Sequence, residues 1–100
     1  MDPRNPRPSG EFVVEVDYSL TLVELCRASD ASESDVRAWI EEGALAPKGR
    51  RPDEWRFAAS SLARARTAAR LARDFEIDAR AIALVLDLME EISRLRAGLR

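Results

Sequence analysis

The chain has 100 residues, of which 46% are hydrophobic and 34% charged, and its formal net charge is −2. This length and composition suit one folded domain and exclude a disordered chain. One cysteine and no histidine exclude an internal disulfide, a Cys/His zinc site and histidine-based acid–base catalysis. No apolar run approaches the roughly 20 residues of a membrane span, and residues 1–10 lack a signal peptide's apolar region. We expect a cytoplasmic protein with a disordered tail over residues 1–10 and a single domain over residues 11–100.

The charges are segregated along the chain. Residues 30–42 contain five acids and one base, residues 47–73 eight bases and two acids, and residues 74–91 six acids and one base. Two interpretations stay open. The charges either pair within the molecule on solvated helix faces, or form complementary patches for a charged partner or for self-association.

The first elements are a short strand and a short helix. Phe12–Val16 alternates weakly and is typical of an edge strand. Thr21–Glu24 has the form of a capping box, a hydroxyl followed three residues later by a carboxylate. The helix that follows places Leu22, Leu25 and Cys26 on one face. Cys26 is predicted to be a small core residue, with a reactive thiol as the alternative.

The segment Ser32–Leu45 has the pattern of the second helix of a helix-turn-helix. Ser32 is a capping residue, and Val36, Trp39 and Ile40 are spaced to face the core. Gly43 is well placed to end the helix in the left-handed conformation.

The charge of this second helix is wrong for DNA recognition, which needs Lys or Arg at phosphates and base edges. Its one base, Arg37, is accompanied by four acids: Glu33, Asp35, Glu41 and Glu42. The architecture suits a DNA binder, whereas the charge favours a protein partner.

A wing and a third helix come next. Lys48–Glu54 is polar and predicts the tip of a hairpin or loop. Trp55 and Phe57 alternate with Arg56, so both rings are predicted to be core, with a stacking platform for single-stranded nucleic acid as the alternative. Ser60 or Ser61 is expected to cap the third helix, residues 62–75, which displays arginines at 64, 66, 70 and 73.

The last helix is expected from Ala79 to about Leu99, with Asp78 as its cap. Two apolar stripes follow its length. The first, predicted to cover the monomer's core, consists of Ile82, Val85, Leu86, Met89 and Ile92. The second predicts a two-stranded homodimer contact through Leu84, Leu88, Leu95 and Leu99.

The order of these elements resembles the MerR-type winged-helix family. On that resemblance, Arg37 matches an arginine early in the recognition helix, Gly43–Pro47 a Gly-Leu-Leu-x-Pro segment, and Arg56 a wing arginine. The chain departs from the family at three places. Ala38 and Trp39 stand where the family has a pair of tyrosines, and Glu41 and Glu42 replace basic or neutral residues. Trp55–Ala58 replaces the Tyr-Arg-x-Tyr of the family's wing. The fold class implied is mainly α, a MerR-like winged helix-turn-helix with a short strand or wing and a long C-terminal helix.

Over about residues 18–95 the chain is more specifically similar to the CbpM family of chaperone modulators. The similar segments are Leu22-x-Glu24-Leu25-Cys26, Trp55-x-Phe57 and residues 81–95. The last has that family's hydrophobic run, Leu-Met, two acids and Ile. The resemblance implies a regulator without enzymatic activity or cofactor. It would bind the J-domain of a CbpA-type, DnaJ-like co-chaperone and block its stimulation of Hsp70. Association with the nucleoid through that partner is the alternative to a purely cytoplasmic location.

An acidic surface suits this role, because a J-domain presents a basic helix to Hsp70. The predicted partner-binding residues are Asp35, Glu41 and Glu42 on the second helix and Asp87, Glu90 and Glu91 on the last. For each of these acids, the alternative to partner binding is that it caps a helix or lies on a solvated surface. A dimeric MerR-type DNA-binding regulator is the second hypothesis, and a generic dimeric adaptor or antitoxin a third. An enzyme is disfavoured, because no glycine loop, activated nucleophile or metal cluster accompanies the carboxylates.

Overall fold

The computed structural model describes residues 17–99, which form a mainly helical domain with a two-stranded sheet. The elements are β1 (Tyr18–Leu20), α1 (Leu22–Ser29), α2 (Glu33–Glu41), a 3-10 turn (Pro52–Glu54), β2 (Phe57–Ala58), α3 (Ala59–Phe75) and α4 (Ala79–Gly98). This confirms the predicted fold class. The strand predicted at Phe12–Val16 lies outside the described residues, as does the tail over residues 1–10. No helix within residues 17–99 is long and apolar enough to cross a membrane.

The helix-turn-helix forms as its capping residues predict. The hydroxyl of Thr21 accepts from the Glu24 backbone N–H at 3.1 Å, and the Glu24 carboxylate accepts from the Thr21 N–H at 2.9 Å. The Ser32 hydroxyl caps α2 by accepting from the Asp35 N–H at 3.1 Å. Between the helices, Asp30 adopts a left-handed conformation with φ of 59°, which lets the chain turn within three residues. α1 and α2 then bury Leu25 and Val36 completely.

Gly43 ends α2 as predicted. Its φ is +82°, a conformation that costs glycine little. The Gly43 N–H donates to the Ile40 carbonyl at 3.0 Å, and the Ala44 N–H donates to the Trp39 carbonyl at 2.8 Å, which satisfies the last carbonyls of the helix. Ala44 and Leu45 are buried, so the segment that leaves α2 is fixed to the core.

The wing is a small hairpin. Lys48 and Arg56 exchange both backbone hydrogen bonds at 2.9 Å, and the chain reverses through the 3-10 turn. Gly49, with φ of +120°, lies so close to the Glu54 carbonyl that an added Cβ would be 2.7 Å from its oxygen. β2 pairs antiparallel with β1, with Tyr18 opposite Ala58. The sequence did not predict β1.

The two rings of the wing differ in burial. Phe57 is fully buried, as predicted, whereas Trp55 is only half-buried at the edge of the core. The rings meet edge to face, with centroids 6.4 Å apart. Trp55 packs against the outside of the core cluster that contains Phe57.

α3 begins earlier than expected, and the prediction of a serine cap is wrong. Ala58 occupies the N-cap position, and no side chain caps the helix. The reason is tertiary: β1 holds Ala58 extended through strand pairing, and the helix starts directly after it. Ser60 and Ser61 therefore lie inside the first turn.

α4 begins where predicted, since the Asp78 carboxylate accepts from the Ala81 N–H at 2.9 Å. Ile82 and Leu86 of the predicted core stripe are buried, but Met89 and Ile92 are exposed. The stripe therefore covers the core only as far as Leu86, because every residue from 87 to 99 is exposed in the described chain.

Candidate partner-binding surface

The exposed surface of α2 is acidic, and its one arginine is already paired. The Arg37 guanidinium lies 2.8 Å from the Glu33 carboxylate, one helical turn away, and 5.9 Å from the centre of the Trp55 ring. The acids Asp35, Glu41 and Glu42 are exposed. A helix with this surface repels phosphate, so its charge suits a basic partner.

The predicted acids of α2 do not form one cluster. Asp35 lies near α3, in a shallow depression that also contains Asp30 and Arg73. Glu41 and Glu42 lie at the opposite end of the helix, about 9 Å further along its axis at 1.5 Å per residue. The Asp35 backbone N–H takes part in the Ser32 cap, while its side chain is left to solvent.

Arg64 joins the segment that leaves α2 to the acids of α4. Its Nε donates to the Ala44 carbonyl at 2.7 Å, and its guanidinium lies 3.4 Å from one carboxylate oxygen each of Asp87 and Glu90. The arginine side chain is 23% exposed, whereas the two carboxylates are 68% and 72% exposed. Arg64 is thus fixed to the backbone, and each carboxylate remains open to a second cation.

This contact brings together residues that the sequence could not connect. Asp87 and Glu90 on α4 share Arg64 of α3, which is itself bound to the carbonyl of Ala44. Glu91 stands apart, because it pairs with Arg94 on α4 itself. In the sequence, nothing distinguishes Arg64 from the other three arginines of the third helix. The one hint of a shared cation is that Asp87 and Glu90 are three residues apart, so they lie on the same side of α4.

Another cleft, with a volume of about 710 Å³, lies at the wing. Arg51 and Arg56 line it beside Trp55. Both bases have partners within the chain: Arg51 lies 3.3 Å from the Glu54 carboxylate, and Arg56 donates to the Trp55 carbonyl at 2.8 Å. Arg56, the position that resembles a MerR wing arginine, is therefore basic but internally engaged.

The second stripe of α4 is exposed along its whole length. Leu84, Leu88, Leu95 and Leu99 are 60%, 53%, 58% and 84% exposed. These leucines share one side of α4, with Glu91 between Leu88 and Leu95.

Cys26 has the features of a packing residue. It is partly buried against the core. Burial raises the pKa of its thiol, and the Glu33 carboxylate raises that pKa further. The thiol is therefore poorly suited to act as a nucleophile near neutral pH.

Comparison with known proteins agrees with this architecture. The model of the MerR HTH family of regulatory proteins matches residues 20–100. The chaperone modulatory protein CbpM of Pseudomonas putida is 33% identical over 89 residues, covering 89% of this chain and 84% of that protein. CbpM of Coxiella burnetii is also 33% identical over the same shares. This chain belongs to the CbpM family, within the MerR-like helix-turn-helix proteins.

The two kinds of comparison agree on a regulatory protein. The matching family model describes regulatory proteins, and the names of both relatives describe chaperone modulators rather than enzymes.

Proposed function

We propose that this chain is a chaperone modulator that binds the J-domain of a CbpA-type, DnaJ-like co-chaperone and blocks its stimulation of the Hsp70 ATPase. The observation that supports this most is the acidic surface of α2, with its one arginine paired to Glu33, in a chain of the CbpM family. The modulator occupies the basic helix that the J-domain otherwise presents to Hsp70.

Charge complementarity gives this interaction speed and selectivity. An acidic surface raises the rate of encounter with a basic helix and disfavours acidic partners, while adding less to affinity. In the proposal, Asp35, Glu41 and Glu42 on α2 and Asp87, Glu90 and Glu91 on α4 supply the negative field. Most of the affinity comes from an apolar contact at the centre of the interface.

The protein acts as a homodimer in this proposal. The exposed stripe of α4, with Leu84, Leu88, Leu95 and Leu99, packs against the same stripe of a second copy. Each protomer keeps the acids of α2 and Glu90, which lies on the far side of α4 from the stripe, so the dimer binds two J-domains.

Calorimetry with a purified J-domain from the same organism's CbpA-type co-chaperone tests the proposal. We expect a dissociation constant in the micromolar range or tighter, with one J-domain per protomer, and suppression of J-domain-stimulated ATP hydrolysis by Hsp70. A J-domain whose basic helix carries Lys→Glu changes is the matched control and should not bind. A silent titration with a folded wild-type J-domain would overturn the proposal.

DNA binding is the second candidate, favoured by the match to a MerR family model and by the bases of the wing. It would use Arg37, Lys48, Arg50, Arg51 and Arg56. Several phosphate contacts would make duplex affinity fall steeply with salt. We expect weak duplex binding instead, because Arg37 is paired with Glu33 and α2 is acidic. Tight, salt-dependent binding of a duplex would favour the regulator.

A further inference from the structure

An apolar groove of about 200 Å³ lies between α3 and α4, beside the acids that share Arg64. Ala63 and Thr67 line it from α3, and Leu86, Met89 and Ser93 line it from α4. Arg64 and Glu90 form its edge, and both also line a neighbouring cleft of about 390 Å³ that contains Asp87. The two depressions therefore make one continuous surface, apolar at one end and acidic at the other.

The walls of the groove suit an apolar side chain. Ala63 and Thr67 are one helical turn apart, and the Thr67 hydroxyl donates to the Ala63 carbonyl at 3.2 Å. The hydroxyl is therefore satisfied within its own helix. Met89 is 46% exposed on the opposite wall. Its unbranched thioether can adapt to the shape of an incoming group.

The acidic end is available to a cation from outside. Asp87 and Glu90 each direct one oxygen at Arg64 over 3.4 Å, while their side chains are mostly exposed. Arg64 is fixed by its shorter bond to Ala44. A partner's lysine or arginine can approach the outer sides of both carboxylates without displacing it.

We propose that this surface receives a basic amphipathic helix, with its apolar side chains in the α3–α4 groove and its lysines or arginines against Asp87 and Glu90. The inference rests on the proposed function, in which that helix belongs to the J-domain. It places the affinity-determining contact on α3 and α4. The acids of α2 then contribute mainly to the rate of association.

The groove and the dimer stripe lie on different sides of α4. Neighbouring residues of a helix point about 100° apart, so Met89 faces the groove while Leu88 faces away from it. A dimer built on the leucine stripe leaves both grooves open.

Filling the groove tests the proposal. Ala63 is an exposed alanine of the groove wall, and Ala28 is an exposed alanine of α1. We expect Ala63→Trp to weaken binding of the J-domain by at least about tenfold, and Ala28→Trp to leave the dissociation constant within about twofold. Ser93→Trp fills the groove from α4 and should repeat the loss, which keeps the test valid should Ala63→Trp misfold. Circular dichroism monitors the fold of each variant.

Kinetics separate the two groups of acids. Asp87→Asn with Glu90→Gln should raise the dissociation rate, whereas Asp35→Asn with Glu42→Gln should lower only the association rate, an effect lost at high salt. If both tryptophan variants fold and bind the J-domain as tightly as the wild-type protein does, the groove is not the binding site, and the proposed function stays intact. No binding by the wild-type protein would overturn the proposed function itself.

Discussion

Leu88→Glu should convert the proposed dimer to a monomer without unfolding it. Leu88 lies in the middle of the exposed stripe and is 53% exposed, so about half of its apolar surface remains to be buried by a second copy. Complete burial of a leucine is worth about 1.5–3 kcal/mol, so this half supplies about 1 kcal/mol per protomer and about 2 kcal/mol per dimer.

The substitution does more than remove this contribution, because it places a carboxylate from each protomer in an apolar contact. Allowing at least about 1 kcal/mol more for that desolvation, the dimer loses at least about 3 kcal/mol, and its dissociation constant rises by at least roughly a hundredfold. The fold should persist, since Leu88 contributes little to the monomer's core.

Sedimentation equilibrium over a range of concentrations measures this change, with circular dichroism and thermal unfolding as checks on the monomer. Val23→Glu is the matched control, because Val23 is 56% exposed on α1, outside the stripe. It should remain dimeric. A wild-type monomer at all concentrations, or a Leu88→Glu variant that dimerises as tightly as wild type, would refute the assignment of this interface.

Three further predictions concern the interior and the arginine contact. Phe57→Ala should lower the free energy of unfolding by about 3–5 kcal/mol in urea titrations, because Phe57 is fully buried, and half-buried Trp55→Ala should cost less; equal losses would contradict this. Arg64→Met should lower the free energy of unfolding in the same titrations by about 1–3 kcal/mol, because the carbonyl of buried Ala44 loses its hydrogen-bond donor. Arg70→Met, at an exposed site of the same helix, should lower it far less. Cys26 should react with iodoacetamide more slowly in the folded protein than in urea at a pH near 8.5, because burial raises the pKa of its thiol and so lowers the fraction present as thiolate. Equal rates of alkylation in the folded and unfolded protein would show that the thiol is not buried. The raised pKa also means that any stability the thiol adds is present below the ordinary thiol pKa and is lost as the pH rises through the raised pKa.

The candidate surface was visible in the sequence as separate groups of acids. Local charge counting found Asp87 and Glu90, and the resemblance to chaperone modulators indicated the type of partner. Neither could show that these two acids share Arg64, because Arg64 lies 23 residues before Asp87 and 20 residues after Ala44. Sequence patterns also could not separate Asp35 from Glu42, since their distance from α3 and α4 depends on how the helices pack.

What the sequence determined by itself is the set of helix boundaries that depend on residues three or four positions apart. Thr21 with Glu24, Ser32, Gly43 and Asp78 each start or end a helix through hydrogen bonds or backbone conformations within one turn. The tertiary structure decided the features that depend on distant partners. Strand pairing with Tyr18 fixed the start of α3, and the packing of α3 and α4 decided where the core stripe of α4 ends. Local hydrogen bonds act within a few residues of the chain, whereas burial depends on the other elements that cover a residue.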